Sequence, residues 1–130
     1  MTVLRSLLYA AIFYSATFLW VLVGIVVSLF GRRATLAVVL SWVEFHHWLV
    51  ATVLAIRIKV EGAMPAKPCL IAVKHESMLE TMEMVRITNL PIIVIKKELA
   101  DIPLFGDLTR RYGVIAVERS AGAKALRALV

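Results

Sequence analysis

Cysteine is almost missing from this chain: Cys69 stands alone, so no internal disulfide can form, which fits a reducing compartment and removes a disulfide-stapled fold. Acid is scarce as well. Nine Asp and Glu face fifteen Lys and Arg, a formal charge of +6, and that balance suits nucleic acid, an anionic membrane surface or a phosphorylated substrate. The basic residues form no aromatic-interleaved stripe and no RNA-binding signature, which sets nucleic acid aside. Charge of either sign is thin, at 18% of residues against 61% hydrophobic. A mean hydropathy of +0.85 is too high for a free-standing soluble fold.

Much of the apolar excess lies before residue 57. Leu7–Phe30 holds 24 residues without a charge, about 36 Å as a helix against a hydrocarbon core of about 30 Å. The run is too long for a signal peptide, and Ser28-Leu29-Phe30 offers no small-residue cleavage site. Arg32 and Arg33 follow it against Arg5 before it, a bias that places its C-terminal end in the cytoplasm. A second apolar stretch, Ala34–Ile56, carries Glu44, His46 and His47. These are costly at mid-bilayer, so this stretch reads as an interfacial or packed helix rather than a second simple span. Beside Trp42 and Trp48, His46 and His47 read as an interfacial belt rather than a metal site. Residues 1–56 are therefore expected to be membrane-anchoring helices. Residues 57–130 remain for a soluble domain, a size at which one core is marginally stable.

That second part reads as α/β. Ile56–Val60 alternates apolar and basic, as a strand with one wet face does, and Glu61-Gly62 ends it. Pro65 and Pro68 hold an extended connection into Cys69–Val73, an unalternating apolar run suited to a strand buried on both faces, with Cys69 as core rather than nucleophile. Ser77–Arg86 has helical spacing through Met78, Met82 and Val85. After the break at Asn89–Pro91, Ile92–Ile95 reads as a strand, Leu104–Tyr112 as a helix stopped by Gly113, Val114–Val117 as a further strand, and Gly122 onward as the start of a helix.

The strand-to-helix turn between Val73 and Ser77 carries His75, and Glu80 follows five residues later. In open α/β sheets ligands bind beyond the carboxyl ends of strands, where this imidazole would lie. A neutral imidazole can take a proton from an alcohol, and a carboxylate on its other nitrogen fixes the tautomer and stabilises the imidazolium. Five residues on a regular helix is about 140° of rotation, a poor contact geometry, so the pair works only if His75 precedes the helix. Two bland readings stand beside it. His75 can be a hydrogen-bonded structural residue, and Ser77 with Glu80 forms S-x-x-E, a capping box in which the carboxylate bonds the Ser77 N–H instead. Ser77 itself suits a cap better than a nucleophile. The helix opens like the zinc-protease H-E-x-x-H, but Leu79 fills the second ligand position and the metal reading fails.

AVKHESMLET followed by IKKELADIPLFGDLTRRYGVIAVERS resembles the 1-acyl-sn-glycerol-3-phosphate acyltransferases of bacterial membranes, over roughly Val60 to the C-terminus. The resemblance matches His75 to the base of the family's H-x4-D motif, with Glu80 in place of the usual Asp. It matches YGVIAVERS to a second block that ends in an acceptor-binding arginine, here Arg119. It implies an N-terminal hydrophobic helical hairpin followed by a partial glycerolipid acyltransferase α/β sheet domain. Periodicity alone does not choose between a span and such a hairpin. The resemblance further implies transfer of an acyl group to the sn-2 hydroxyl of lysophosphatidic acid, giving phosphatidic acid. Coenzyme A or acyl carrier protein carries the thioester, no cofactor or metal takes part, and membrane phospholipid is a partner. The site is expected at the bacterial inner membrane, facing the cytoplasm.

By position alone, Lys96 reads as solvated surface and Arg119 as an ion pair with Glu118; with the resemblance both become candidates for the acceptor phosphate. Relatives continue through an E-G-T-R-like third block and an apolar fourth block, so the chain is expected to be the N-terminal portion of such a protein. Two alternatives stay open: a non-catalytic membrane protein that binds anionic lipid, and an acyltransferase for another lysophospholipid or a glycolipid.

Overall fold

With no charge to interrupt it, the apolar N-terminal run folds as one long helix, α1 (Thr2–Ser28), in a computed structural model that describes residues 2–118. Gly31, at φ 99°, makes the turn, and α2 (Arg32–Leu49) follows, running into a single π-helical turn at Val50–Leu54. The remaining elements are α3 (Met78–Ile87), β1 (Val94–Lys96), α4 (Lys97–Ala100), α5 (Phe105–Tyr112) and β2 (Ile115–Val117). The described fold is thus mainly helical with a small parallel sheet. By length and composition, Val3–Ser28 and Arg32–Leu54 could each cross a membrane, with mean hydropathies of 2.2 and 1.4.

These elements form two compact units. One takes the chain up to Ala16 together with Leu40–Pro91; the other takes Thr17–Val39 and the described residues from Ile92 onward.

In the first unit, Phe13 is the hub of an aromatic core. It stacks on Tyr9 and Trp42, with ring centroids 5.6 and 6.2 Å away, and meets His46 edge-on at 5.2 Å. Val43, Leu49 and Val50 of the same unit are also nearly fully buried. His46 is therefore not an interfacial residue: it lies inside this core, and its Nδ1 has no hydrogen-bond partner among the described residues. His47 is tied into the unit through its Nδ1, which bonds Oε1 of Glu83 at 2.9 Å. Trp48 does stay exposed. At the far end, Arg5 Nε donates to the Val53 carbonyl at 2.7 Å, serving a helix-end acceptor that would otherwise face away from any partner.

Helix α3 packs through Met82, Val85 and the buried Glu83. Asn89 and Leu90 then take positive φ, of 54° and 68°, and stop it before Pro91, where the sequence marks the break.

In the second unit, β1 and β2 pair in parallel with Val94 opposite Ile115 and Lys96 opposite Val117. The crossover between them contains α5 as expected and also α4, a helical turn that the Lys96–Leu99 charges do not announce. The C-terminal end of α5 is tied to the turn between α1 and α2: Arg111 donates to the Ser28 carbonyl at 3.1 Å and Arg32 to that of Tyr112 at 3.4 Å. Leu108 of α5 lies against Gly24 of α1. Gly113, at φ 105°, ends α5 in the left-handed conformation that glycine adopts without strain.

The strands expected at Ile56–Val60 and Cys69–Val73 do not form; residues 55–77 contain no helix or strand. Cys69 is exposed rather than core, as are Leu70, Ile71 and Val73. An apolar β-prone run becomes a strand only when a neighbour supplies the ladder, and among the described residues the sheet consists of β1 and β2 alone.

Two glycines in the second unit make opposite predictions. A methyl on Gly106 would collide with the Ala100 backbone carbonyl, which Arg110 also holds at 2.6 Å, whereas a methyl on Gly24 would meet only the mobile end of Leu108 at 2.9 Å. Thermal unfolding in detergent should show Gly106→Ala destabilised by about 3 kcal/mol or more and Gly24→Ala by about 1 kcal/mol; equal losses would refute the close approach at Gly106.

Candidate functional site

The candidate site is built at the start of α3. Ser77 is its N-cap, in extended conformation at φ −156°, and its Oγ accepts from the Leu79 N–H at 3.1 Å. Glu80, at the third helical position, reaches back over this turn. Its Oε1 accepts from the backbone N–H groups of Glu76 at 2.9 Å and Ser77 at 2.8 Å, and its Oε2 accepts from the Ser77 hydroxyl at 2.7 Å. That is a complete capping box.

The same carboxylate also holds the histidine. His75 lies two residues before the cap, outside the helix, and its Nδ1 is 2.7 Å from Glu80 Oε1. Capping box and His–Glu pair, set against each other as alternatives by spacing alone, are thus satisfied together by one side chain. The ring is 66% exposed and Glu80 24%, so the imidazole opens to solvent while the carboxylate is folded under its own turn. Lys74 and Glu76 flank the ring and pair with each other.

Four donors on one carboxylate have an electrostatic consequence. The Ser77 hydroxyl, helped by the Ser77 N–H and His75, pulls the Glu80 carboxyl down to about 2 from an ordinary 4.5. Glu80 is therefore ionised at neutral pH and only accepts. The Nδ1 of a neutral His75 must then carry the proton, which leaves the Nε2 lone pair as the basic site. The amides of Glu76, Ser77 and Leu79 are committed within the turn and so are not free for an oxyanion. The Ser77 hydroxyl, donating to Glu80 and accepting from Leu79, is a cap.

Of the four residues singled out in the sequence, His75 and Glu80 are brought together. Lys96 belongs to the other unit, at the C-terminal end of β1, where its Nζ lies 3.0 Å from Glu98 Oε1. Both side chains are about half exposed or more, and such a pair adds little to stability. Lys96 is level with Val117 in the sheet, two residues before Arg119, which lies outside the described residues, as does the helix expected from Gly122. Among the described residues no group of three or more His, Cys, Asp or Glu gathers as a metal site.

One further carboxylate on this helix has no local sequence pattern to mark its role. Glu83, one turn beyond Glu80, is 4% exposed and bonds His47 of α2 and Arg86 Nε, each at 2.9 Å. Its partner on α2 is 36 residues away, beyond any local pattern.

The depressed carboxyl has a testable sign. A group whose folded value lies below its unfolded one contributes stability that is fully present above about pH 4.5 and is lost as pH falls toward 2. Acid unfolding followed by circular dichroism should show α3 weakening across that window, and Glu80→Gln should flatten the dependence. An identical acid profile in the variant would exclude the carboxylate as the cap.

A family model described as Acyltransferase matches residues 55–130. The chain is also 32% identical, over 97% of its length, to the 1-acyl-sn-glycerol-3-phosphate acyltransferase of Pseudomonas aeruginosa, of which it covers 51%. It therefore spans about half the length of the curated relative it matches. No solved structure matches it. The matched span includes the whole turn that carries His75 and Glu80, and the chain belongs to the Acyltransferase family.

Proposed function

We propose that the protein is a membrane-bound acyltransferase that moves an acyl group from a thioester to the sn-2 hydroxyl of 1-acyl-glycerol-3-phosphate. The observation that carries this reading is the 2.7 Å contact between an exposed imidazole and an ionised carboxylate, inside the span matched by the family. The relative's name supports the acceptor. The two long apolar helices support the membrane: α1 exposes Leu7, Tyr14, Phe18, Leu19 and Val26, more apolar surface than a water-soluble monomer leaves uncovered.

In this mechanism Nε2 of His75 removes the proton of the sn-2 hydroxyl as its oxygen bonds the thioester carbonyl carbon. Glu80 stabilises the imidazolium and keeps the ring oriented. The tetrahedral intermediate collapses, the carbon–sulfur bond breaks, and the thiolate of coenzyme A or acyl carrier protein takes the proton back. No acyl-enzyme is needed. Arg119, with Lys96, holds the acceptor phosphate, where a guanidinium offers a two-pronged grip. In this reading the site lies at the cytoplasmic face of a bacterial inner membrane.

In the full-length protein, His75→Ala should lower transfer from labelled acyl donor by about 10³-fold while the protein stays in the membrane fraction; retained turnover would remove His75 as base. Arg119→Ala should raise the apparent KM for the lyso-acceptor about 10- to 100-fold with kcat little changed. An unchanged acceptor dependence would take Arg119 out of the site. Running the same assay over several lyso-acceptors tests the headgroup assignment, since equal rates with acceptors lacking phosphate would overturn it.

A further inference from the structure

Helix α3 is only ten residues long, too short to hold itself in water, so its placement depends on what it packs against. Its apolar contacts, Met82 and Val85, are buried, but hydrophobic burial is non-directional and tolerates sliding and rotation. Glu83 is different. Its two oxygens have separate partners, Oε1 on His47 of α2 and Oε2 on Arg86 of α3 itself, so the plane of the carboxylate is fixed. With 4% exposure for Glu83 and about a quarter to a third for the two partner side chains, the contact is shielded from water, where charge-assisted bonds are stronger and more sensitive to geometry.

Glu80 lies one turn toward the helix start, about 4.5 Å along the axis and about 60° around it. A hydrogen-bonded helix transmits rotation at Glu83 to Glu80 rigidly, and through Glu80 Oε1 to the imidazole of His75. We propose that Glu83 is a positioning residue for the His75–Glu80 pair, docking α3 on α2 through His47 so that the ring is held at a fixed angle. Buried ionic contacts of this kind act best as register devices rather than as sources of stability. The inference rests on the acyltransferase reading for its consequence in catalysis, but not for its consequence in the turn.

Two measurements on the full-length protein test it, well below the melting temperature of each variant. Glu83→Ala should lower kcat about 10- to 100-fold, with KM for donor and acceptor changed by no more than about twofold. Hydrogen exchange at the Glu76 and Ser77 amides, which the Glu80 carboxylate protects, should speed up about tenfold or more. Glu83→Gln keeps an acceptor oxygen and should recover part of both. Where Glu83→Ala does not accumulate, His47→Ala leaves the Arg86 bond in place and carries the same two readouts. A lowered melting temperature with normal kcat and normal exchange would reduce Glu83 to a structural residue and overturn the proposal. If His75→Ala keeps full turnover, His75 is not the base, and the exchange measurement alone then decides whether Glu83 positions the turn.

Discussion

The Glu80 carboxylate is the contact on which the rest of the site depends. It caps the start of a helix and bonds an imidazole with the same two oxygens: Oε1 takes the His75 ring and two backbone N–H groups, Oε2 the Ser77 hydroxyl. The four donors are mutually supportive, because each fixes the carboxylate in the position the others need. A free glutamate would lose rotamer entropy for a single contact to His75. Here the capping bonds have already restricted the side chain, so the bond to the imidazole forms on a preorganised acceptor. The position at the start of α3 also suits a negative charge, because the helix dipole is positive there.

Much of this was legible in the sequence because it is local. The five-residue spacing requires the histidine to precede the helix, and S-x-x-E marks where a helix begins; both conditions hold, with α3 starting at Met78 and Ser77 as its cap. The break at Asn89 and the helix ending at Gly113 were legible for the same reason, since backbone preference and short-range bonds determine them. What could not be read depends on distant partners. Cys69–Val73 has the composition of a buried strand, but a strand is a relation between two segments and not a property of one. His46 and His47 look alike in sequence, yet one is enclosed by Tyr9 and Phe13 and the other bonds Glu83.

That His47–Glu83 contact changes how the apolar arm is understood. A helix that merely anchors a domain needs an apolar surface and little else. In the first unit, however, α2 carries the polar group that receives α3, and Arg5 of α1 bonds the Val53 carbonyl just beyond α2. The arm is thus part of the scaffold of the candidate site as well as the source of its apolar surface. Substitutions in α2 should be read first as changes to the placement of α3 and only then as changes to membrane affinity.

The length of the Glu80 side chain, one methylene more than that of an aspartate, matters to the same geometry. At the third helical position a carboxylate reaches back across the first turn to bond the N-cap N–H, as the Glu or Gln of a capping box does. The longer side chain lets one oxygen lie 2.8 Å from the Ser77 N–H and still 2.7 Å from His75 Nδ1. In this chain the Glu80 side chain joins the two tasks, so the charge beside the imidazole also fixes where the helix starts.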